Sequence, residues 1–134
     1  MQRVNLEGVV LKPNMVLSGS DAPNRAGPDE VAEMTIRCFK RVVPAAVSGI
    51  AFLSGGQDDE ESTLNLNAMN KREESLPWEL TFSYGRGLQS TPMHVWGGNP
   101  TNIAKAQQAF LKRARMTAAA REGRYAPALE QAAT

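Results

Sequence analysis

A single lysine at the end of an apolar run is the first residue of this sequence that could do chemistry. Lys12 follows Val9-Val10-Leu11 and precedes Pro13. Short β-branched runs that end at a proline are typical of strands, and runs without polar positions are typical of strands buried on both faces. An amine at the end of such a strand should lose hydration, which favours attack on a carbonyl carbon. Lys12 is therefore a candidate nucleophile, although lysines at strand ends also commonly lie along the surface or pair with an acid.

Two glycine turns further along the chain could bind an anion. Ser54-Gly55-Gly56 follows a second apolar run, and Gly85-Arg86-Gly87 follows a third. Glycines let a ligand reach backbone N–H groups, and a helix that begins after the turn adds its positive end. The guanidinium of Arg86 matches the geometry of phosphate oxygens. Each turn alone is also compatible with an ordinary turn or a local ion pair, but together they predict a phosphate site.

Alternating strands and helices must position these three segments. Apolar runs predict strands over residues 7–12, 47–53 and 80–84. Capping residues and helical periodicity predict helices over residues 28–43, 58–71, 86–96 and 101–122. This order is typical of parallel βα units, in which ligands bind at the carboxyl ends of the strands. We therefore expect Lys12 and both glycine turns to lie at one edge of a sheet.

Two helix faces and one acidic run could be mistaken for functional features. On the first helix, Val31, Met34, Cys38 and Val42 recur with the helical period, so we predict that they face the core and that Cys38 is a buried thiol. Acidic residues 58–61 suit the first turn of a helix better than a metal site. The last helix has a basic side, which we predict to be solvated and not to bind nucleic acid; it comprises Lys112, Arg113, Arg115, Arg121 and Arg124.

Composition narrows the class of protein. The 134 residues carry 15 lysines and arginines against 14 aspartates and glutamates, a net charge of +1, which excludes a polybasic arm or an acidic tail as the main function. No apolar segment reaches the roughly 18 residues of a membrane span. The single cysteine favours a reducing compartment. We expect a cytoplasmic α/β protein without a nucleic-acid or membrane partner.

Three βα units are too few to close a sheet on itself. A (β/α)8 barrel needs eight strands and about 250 residues. An open three-stranded sheet leaves its edges and apolar helix faces uncovered. We therefore expect residues 1–124 to be part of a larger domain, with Met1 not necessarily its start. The alanine-rich residues 125–134 are predicted to form a flexible tail.

Three segments resemble class I fructose-bisphosphate aldolases, in order and in spacing. The first is Leu6-Glu7-Gly8-Val9-Val10-Leu11-Lys12-Pro13-Asn14-Met15-Val16, which is similar to the family's Schiff-base lysine segment. The second is Phe52-Leu53-Ser54-Gly55-Gly56, followed by Thr63-Leu64-Asn65-Leu66-Asn67-Ala68, and the third is Phe82-Ser83-Tyr84-Gly85-Arg86-Gly87-Leu88-Gln89. The resemblance extends to about residue 125. It implies the sixth, seventh and eighth strands of a (β/α)8 TIM barrel, with a long C-terminal helix and the tail.

The resemblance also implies an activity and its residues. It implies a glycolytic lyase that reversibly cleaves fructose 1,6-bisphosphate into dihydroxyacetone phosphate and glyceraldehyde 3-phosphate, without a metal or other cofactor and as a tetramer. Lys12 matches the lysine that forms an imine with the substrate ketone. Four positions match those that hold the neighbouring phosphate, and two more lie close to that pocket. The four are Ser54, Gly55, Gly85 and Arg86, and the two are Leu53 and Ser83.

The same resemblance leaves part of the chemistry unassigned. In the family, the acid and base carboxylates and an additional lysine come from earlier strands, and no segment here matches them. Two interpretations stay open: an aldolase, or a truncated, non-catalytic C-terminal aldolase fragment that keeps only the imine lysine and the phosphate site. A transaldolase-like Schiff-base enzyme on the same barrel is a third, against which the Lys12-Pro13-Asn14-Met15 segment argues.

Overall fold

The strands and helices alternate along the chain in the predicted order. The computed structural model describes residues 3–72 and 74–132. Its strands are β1 (Val10–Leu11), β2 (Gly49–Phe52) and β3 (Glu79–Phe82). Its helices are α1 (Pro28–Val42), α2 (Asp59–Asn70), α3 (Arg86–Trp96), α4 (Ile103–Arg121) and α5 (Ala128–Ala132), with single 3₁₀ turns at Leu6–Gly8 and Pro100–Asn102. Every observed strand overlaps its predicted range, and the largest difference is at β1.

The three strands form one parallel sheet in the order β1-β2-β3. Hydrogen bonding continues beyond the assigned strand ends on both sides of β2. The N–H of Leu53 donates to the carbonyl of Pro13 (3.0 Å), and the N–H of Ser83 donates to the carbonyl of Phe52 (2.8 Å). The residues that follow the three strands are therefore neighbours at the carboxyl edge of the sheet.

The first strand is shorter and more exposed than predicted. Residues Leu6–Gly8 form a 3₁₀ turn, and only Val10 and Leu11 belong to β1. Val10 is 62% exposed, so the prediction of a strand buried on both faces is wrong. The physical reason is that β1 pairs only with β2 within the described residues and is an edge strand there, without a neighbour to cover its outer side.

The core lies where α1 packs on the middle strand. Ile50 and Phe52 of β2 are fully buried, and the ring of Phe39 from α1 stacks on Phe52 with centroids 5.8 Å apart. Further along the chain, α2 packs against α1 and α4, and α4 packs against α3. Helices α2 and α4 also contact β3.

The buried face of α1 matches the predicted one only at Val31, since Met34 is exposed. Thr35, Ile36 and Phe39 are buried, whereas Cys38 and Val42 are exposed. The prediction of a buried Cys38 thiol is therefore wrong. The physical reason is that the large ring of Phe39 takes the position against β2, and this turns the neighbouring stripe of smaller side chains toward solvent.

The predicted basic side of the last helix contains one buried ion pair. Arg113 is 4% exposed, and its guanidinium donates to the Glu130 carboxylate (2.5 Å) and to the Thr63 hydroxyl (2.9 Å). The prediction of a fully solvated basic side is therefore wrong at Arg113. A buried guanidinium needs a paired charge and further acceptors, and Glu130 of α5 and Thr63 of α2 supply them.

The segment that was predicted to be a flexible tail begins in the core. Tyr125 is 5% exposed, its N–H donates to the Asn67 side chain (2.9 Å), and its hydroxyl donates to Glu130 (3.0 Å). Tyr125 thus belongs to the packed part of the chain, because its ring fills space beside α2 and its polar groups find partners there. Flexibility of the rest of the segment stays a prediction, and residues 133 and 134 lie outside the described residues.

We predict that Gly123→Ala strongly destabilises the fold. Gly123 has φ +68°, and an added Cβ would lie 2.9 Å from the carbonyl oxygen of Asn70. Strain at positive φ and the overlap with the backbone together should lower the free energy of unfolding by about 2–4 kcal/mol. Denaturant unfolding measures this. The matched control is Gly98→Ala, where φ is +73° but the space is open, so only the strain of about 1 kcal/mol should remain. Equal losses in the two variants would contradict the role of packing at Gly123.

We also predict a stabilising contribution of Tyr125 that disappears in alkali. Burial and the hydrogen bond to the Glu130 carboxylate raise the pKa of Tyr125 to about 12. Because an unfolded tyrosine has a pKa of about 10, this contribution is complete below about pH 10 and is lost as the pH rises to about 12. The difference in the free energy of unfolding between the unsubstituted chain and Tyr125→Phe should therefore shrink between about pH 10 and about pH 12. A difference that does not change with pH would show that the phenol does not titrate differently in the folded state.

Candidate active site

Lys12 lies at the carboxyl edge of the sheet, directly after β1. The next residue, Pro13, accepts the hydrogen bond from Leu53, so the lysine is close in the ladder to the end of β2. Lys12 is exposed, and the expectation that it loses hydration is wrong for this structure. The reason is the same as for Val10: β1 is the edge strand, and the described residues do not cover its outer side.

The Ser54–Gly56 turn, which we call the β2 turn, is directly linked to the turn that follows β3. Ser54 is 4% exposed, and its hydroxyl oxygen accepts the N–H of Gly87 at 3.0 Å. The hydroxyl proton of Ser54 remains available for donation to a ligand. Gly87 lies close against this serine, because an added Cβ would be 3.0 Å from the Ser54 Cβ. The two glycine turns are therefore parts of one surface.

The first residues of α3 form the other side of this surface. Gly85 is the N-cap residue, it is exposed, and no side chain caps the helix there. Apart from its chain neighbours, no atom lies within 4 Å of the position that a Gly85 Cβ would take, so the space beside this residue is open. Arg86, the first residue of α3, is exposed, as is Ser83 after β3. Open N–H groups at a helix N-terminus next to a guanidinium are the features that an oxyanion requires.

A buried tyrosine holds the end of β3 against α2. The Tyr84 hydroxyl donates to the carbonyl of Ser62 at 2.8 Å. Burial raises the pKa of the Tyr84 phenol well above its usual value, so the group stays a neutral donor at physiological pH. This contact fixes the position from which the Gly85-Arg86 turn begins.

Two side chains at this edge were not identified from the sequence. Asn14 donates to the carbonyl of Gly55 (3.1 Å), and Arg25 donates to the carbonyl of Gly56 (3.2 Å). Both lie in the loop of residues 13–27, which connects β1 to α1. Loops of that length are often functional. The contacts themselves span 41 and 31 residues, and no local pattern reveals them.

The acidic run before α2 has a structural role, as predicted. Asp58 caps the helix, and its carboxylate accepts the N–H of Glu61 at 2.7 Å. Within residues 3–72 and 74–132, no three histidine, cysteine or acidic side chains are grouped so that they could hold a metal ion. In the same part of the chain, no helix is long and apolar enough to cross a bilayer. The expectation that the chemistry needs no metal stays a prediction.

The arrangement brings a primary amine, two glycine turns and a guanidinium to one edge of the sheet. A ligand with a phosphate on this surface could present a carbonyl group to a lysine that follows the neighbouring strand. Such geometry suits covalent imine chemistry on a phosphorylated ketone.

The chain is similar to known fructose-bisphosphate aldolases. The family model described as fructose-bisphosphate aldolase class-I matches residues 1–134. Cytosolic fructose-bisphosphate aldolase 4 of Arabidopsis thaliana is 52% identical over 122 residues, which are 91% of this chain and 31% of that protein. Cytoplasmic isozyme 1 of Pisum sativum is 51% identical over 124 residues, which are 92% of this chain and 34% of that protein. Mouse fructose-bisphosphate aldolase C is 49% identical over 91% of this chain and 34% of its own length.

A solved structure has the same fold. Fructose-bisphosphate aldolase from Plasmodium falciparum, crystallised with TRAP and a small-molecule inhibitor, superimposes with a TM-score of 0.87 and 44% sequence identity. The match covers 92% of this chain and 35% of that one. The chain thus spans about a third of the length of the curated relatives it matches.

The predicted resemblance and the predicted partial barrel are both confirmed. Three parallel strands alternate with helices and precede a long helix, as in the corresponding third of the solved aldolase. With a family model that matches from the first residue to the last, this chain belongs to the class I fructose-bisphosphate aldolases.

Proposed function

We propose that this chain is the part of a fructose-bisphosphate aldolase that carries the imine-forming lysine and one phosphate site. The whole enzyme would cleave fructose 1,6-bisphosphate reversibly to dihydroxyacetone phosphate and glyceraldehyde 3-phosphate in glycolysis. One observation carries the proposal: hydrogen bonding continues past the ends of all three strands, from Pro13 to Leu53 and from Phe52 to Ser83. Lys12 follows β1 directly, and the two glycine turns begin within three residues of the ends of β2 and β3.

Lys12 is the proposed nucleophile. Its amine adds to the ketone carbon of the substrate, and loss of water gives a protonated imine. When the bond between the third and fourth carbon atoms breaks, its electron pair moves into the imine and forms an enamine. The imine nitrogen accepts this charge better than a ketone oxygen does, so no Lewis acid is needed at that position.

The phosphate next to the ketone would bind the two glycine turns. Backbone N–H groups and the Ser54 hydroxyl are the proposed donors on one side, and the Arg86 guanidinium is the charged donor on the other. Anchoring the phosphate holds the ketone carbon near the amine, which is a contribution through positioning. The proposed phosphate ligands are Ser54, Gly55, Gly85 and Arg86, with Leu53 and Ser83 beside them.

The remaining parts of the mechanism define the proposed partners. A base must remove the proton of the hydroxyl on the fourth carbon, and an acid must assist imine formation. We propose that these groups come from strands that this chain does not contain, so the 134-residue chain alone is inactive. Phosphosugars and copies of the same polypeptide are the proposed partners. A cytosolic location is proposed from the cytosolic plant relatives and the single cysteine.

We predict that dihydroxyacetone phosphate and borohydride leave a stable adduct on Lys12. The amine and the phosphate site are both on this chain, and water can supply the proton for slower imine formation without the missing acid; borohydride then reduces the imine to a secondary amine. Intact-mass and peptide mass spectrometry measure the added mass and its position. Lys12→Arg should abolish the adduct, because a guanidinium does not form the imine.

The control for this experiment is Lys105→Arg. Lys105 is an exposed residue of α4, and its replacement removes one amine without touching the sheet edge. This variant should react as the unsubstituted chain does. An adduct on a lysine other than Lys12, or one that persists in Lys12→Arg, would contradict the assignment of the nucleophile.

A second candidate function is that of a non-catalytic fragment that binds phosphosugars only. The observation that favours it is the coverage of about a third of each relative. We predict that the purified chain shows no cleavage of fructose 1,6-bisphosphate in a coupled assay, even where the Lys12 adduct forms. Measurable turnover by the chain alone would reject this second candidate and the proposed origin of the acid and base groups.

A further inference from the structure

The loop of residues 13–27 contacts the β2 turn through Asn14 and Arg25. We propose that these two side chains are positioning residues, which orient the backbone N–H groups of the β2 turn toward the phosphate. The inference rests on the proposed function. It assigns a role to two loop residues that are not among the proposed phosphate ligands. It follows from how the carbonyl groups of the turn are used.

All three carbonyl oxygens of the β2 turn are engaged. The Ser54 carbonyl accepts the N–H of Gln57 (3.2 Å), the Gly55 carbonyl accepts from the Asn14 amide, and the Gly56 carbonyl accepts from Arg25. None of the hydrogen bonds within residues 3–72 and 74–132 uses the N–H of Gly55 or Gly56. The carbonyl oxygens of the turn are therefore hydrogen-bonded, whereas the N–H groups of its two glycines are free to bind a ligand.

Because a trans peptide unit is planar, fixing its carbonyl oxygen also fixes the direction of its N–H group. The C=O and N–H of one peptide unit point in opposite directions, and the described peptide bonds are all trans. Fixing the Ser54 carbonyl on Gln57 therefore directs the Gly55 N–H to the opposite side. Fixing the Gly55 carbonyl on Asn14 does the same for the Gly56 N–H. Successive N–H groups held in this way form a concave site for an anion.

Arg25, near the other end of the loop, binds the third carbonyl group of the turn. By holding the Gly56 carbonyl, it orients the next N–H, that of Gln57, which bonds back to Ser54. Its guanidinium also donates to the Glu61 carboxylate at 2.8 Å, so its charge is already paired. Arg25 thus acts through the backbone of the turn and not as a charged ligand of the phosphate.

The loop of residues 13–27 is itself held in place by burial and by hydrogen bonds. Met15 is buried in the core next to Asn14. The N–H of Val16 donates to the hydroxyl of Thr35, a fully buried residue of α1, at 2.9 Å. Near the other end, the N–H of Ala26 donates to the Ser18 hydroxyl. The loop begins directly after Lys12, so the same segment connects the nucleophile to the phosphate site.

The test compares a phosphorylated with an unphosphorylated ketone. Borohydride trapping on the full 134-residue chain is measured against the concentration of dihydroxyacetone phosphate and, separately, of dihydroxyacetone. Asn14→Leu and Arg25→Met should each raise the half-saturating concentration of the phosphate ester about 3- to 10-fold. The limiting rate and the reaction with dihydroxyacetone should not change. A merely structural defect would alter both ketones alike.

Three control variants distinguish a positioning role of Arg25 from an effect of its charge. Arg37→Met removes an exposed arginine of α1 whose recorded contact is with Met34, and it should behave as the unsubstituted chain. Arg25→Lys keeps a donor for the Gly56 carbonyl and should recover most of the affinity. Glu61→Gln keeps an acceptor for Arg25 and should leave the affinity unchanged. Tighter binding in Glu61→Gln would show that Arg25 acts by charge and would overturn the inference.

A second measurement distinguishes failure of this inference from failure of the proposed function. If the unsubstituted chain forms no adduct on Lys12, the proposed function fails, and titration with inorganic phosphate decides the inference alone. The amide signals of Gly55 and Gly56 in ¹⁵N spectra should shift with phosphate, and the shift should need more phosphate in Arg25→Met. Unmoved glycine signals, or equal affinities in all variants, would overturn the inference. If Asn14→Leu does not fold, Arg25→Met, whose side chain is exposed, carries the test.

Discussion

The hydrogen bonds that β2 makes to the strands on its two sides are the constraint on which the candidate site depends. They continue past the strand ends, from Pro13 to Leu53 and from Phe52 to Ser83, so the chain leaves all three strands at the same level. In a parallel sheet this level is the carboxyl edge, where ligands bind. Residues separated by more than 70 positions, from Lys12 to Arg86, are brought to one edge by this ladder alone.

The carboxyl edge of the sheet also depends on α2, a helix whose buried side chains are mostly polar. The buried face of α2 carries Ser62, Thr63, Asn65 and Asn67, which are all less than one-tenth exposed. Each of them has a partner in another part of the fold: their bonds go to the Tyr84 hydroxyl, the Arg113 guanidinium, the Gln57 amide and the backbone N–H of residue 125. Buried polar contacts of this kind favour one arrangement, because a shift of the helix leaves several of these groups unpaired.

This arrangement ties the site to distant parts of the chain. Tyr84 positions the start of α3 through its bond to α2, and Asn65 donates to Gln57 directly after the β2 turn. Thr63 of the same helix contacts Arg113, which pairs with Glu130. The C-terminal segment therefore packs on the same helix that supports both glycine turns. Substitutions in that segment can act on the site without touching it.

The sequence by itself determined the order of the elements, the family and the three candidate segments, because these depend on local patterns. Proline, glycine and acidic residues mark where helices begin and end, and apolar runs mark strands. The tertiary structure alone decided which side chains are covered. Cys38 is exposed since the ring of Phe39 occupies the core position, and Arg113 is buried since Glu130 arrives from 17 residues further along. The contacts of Asn14 and Arg25 likewise join residues far apart in the chain, and such pairs have no signature in a single sequence.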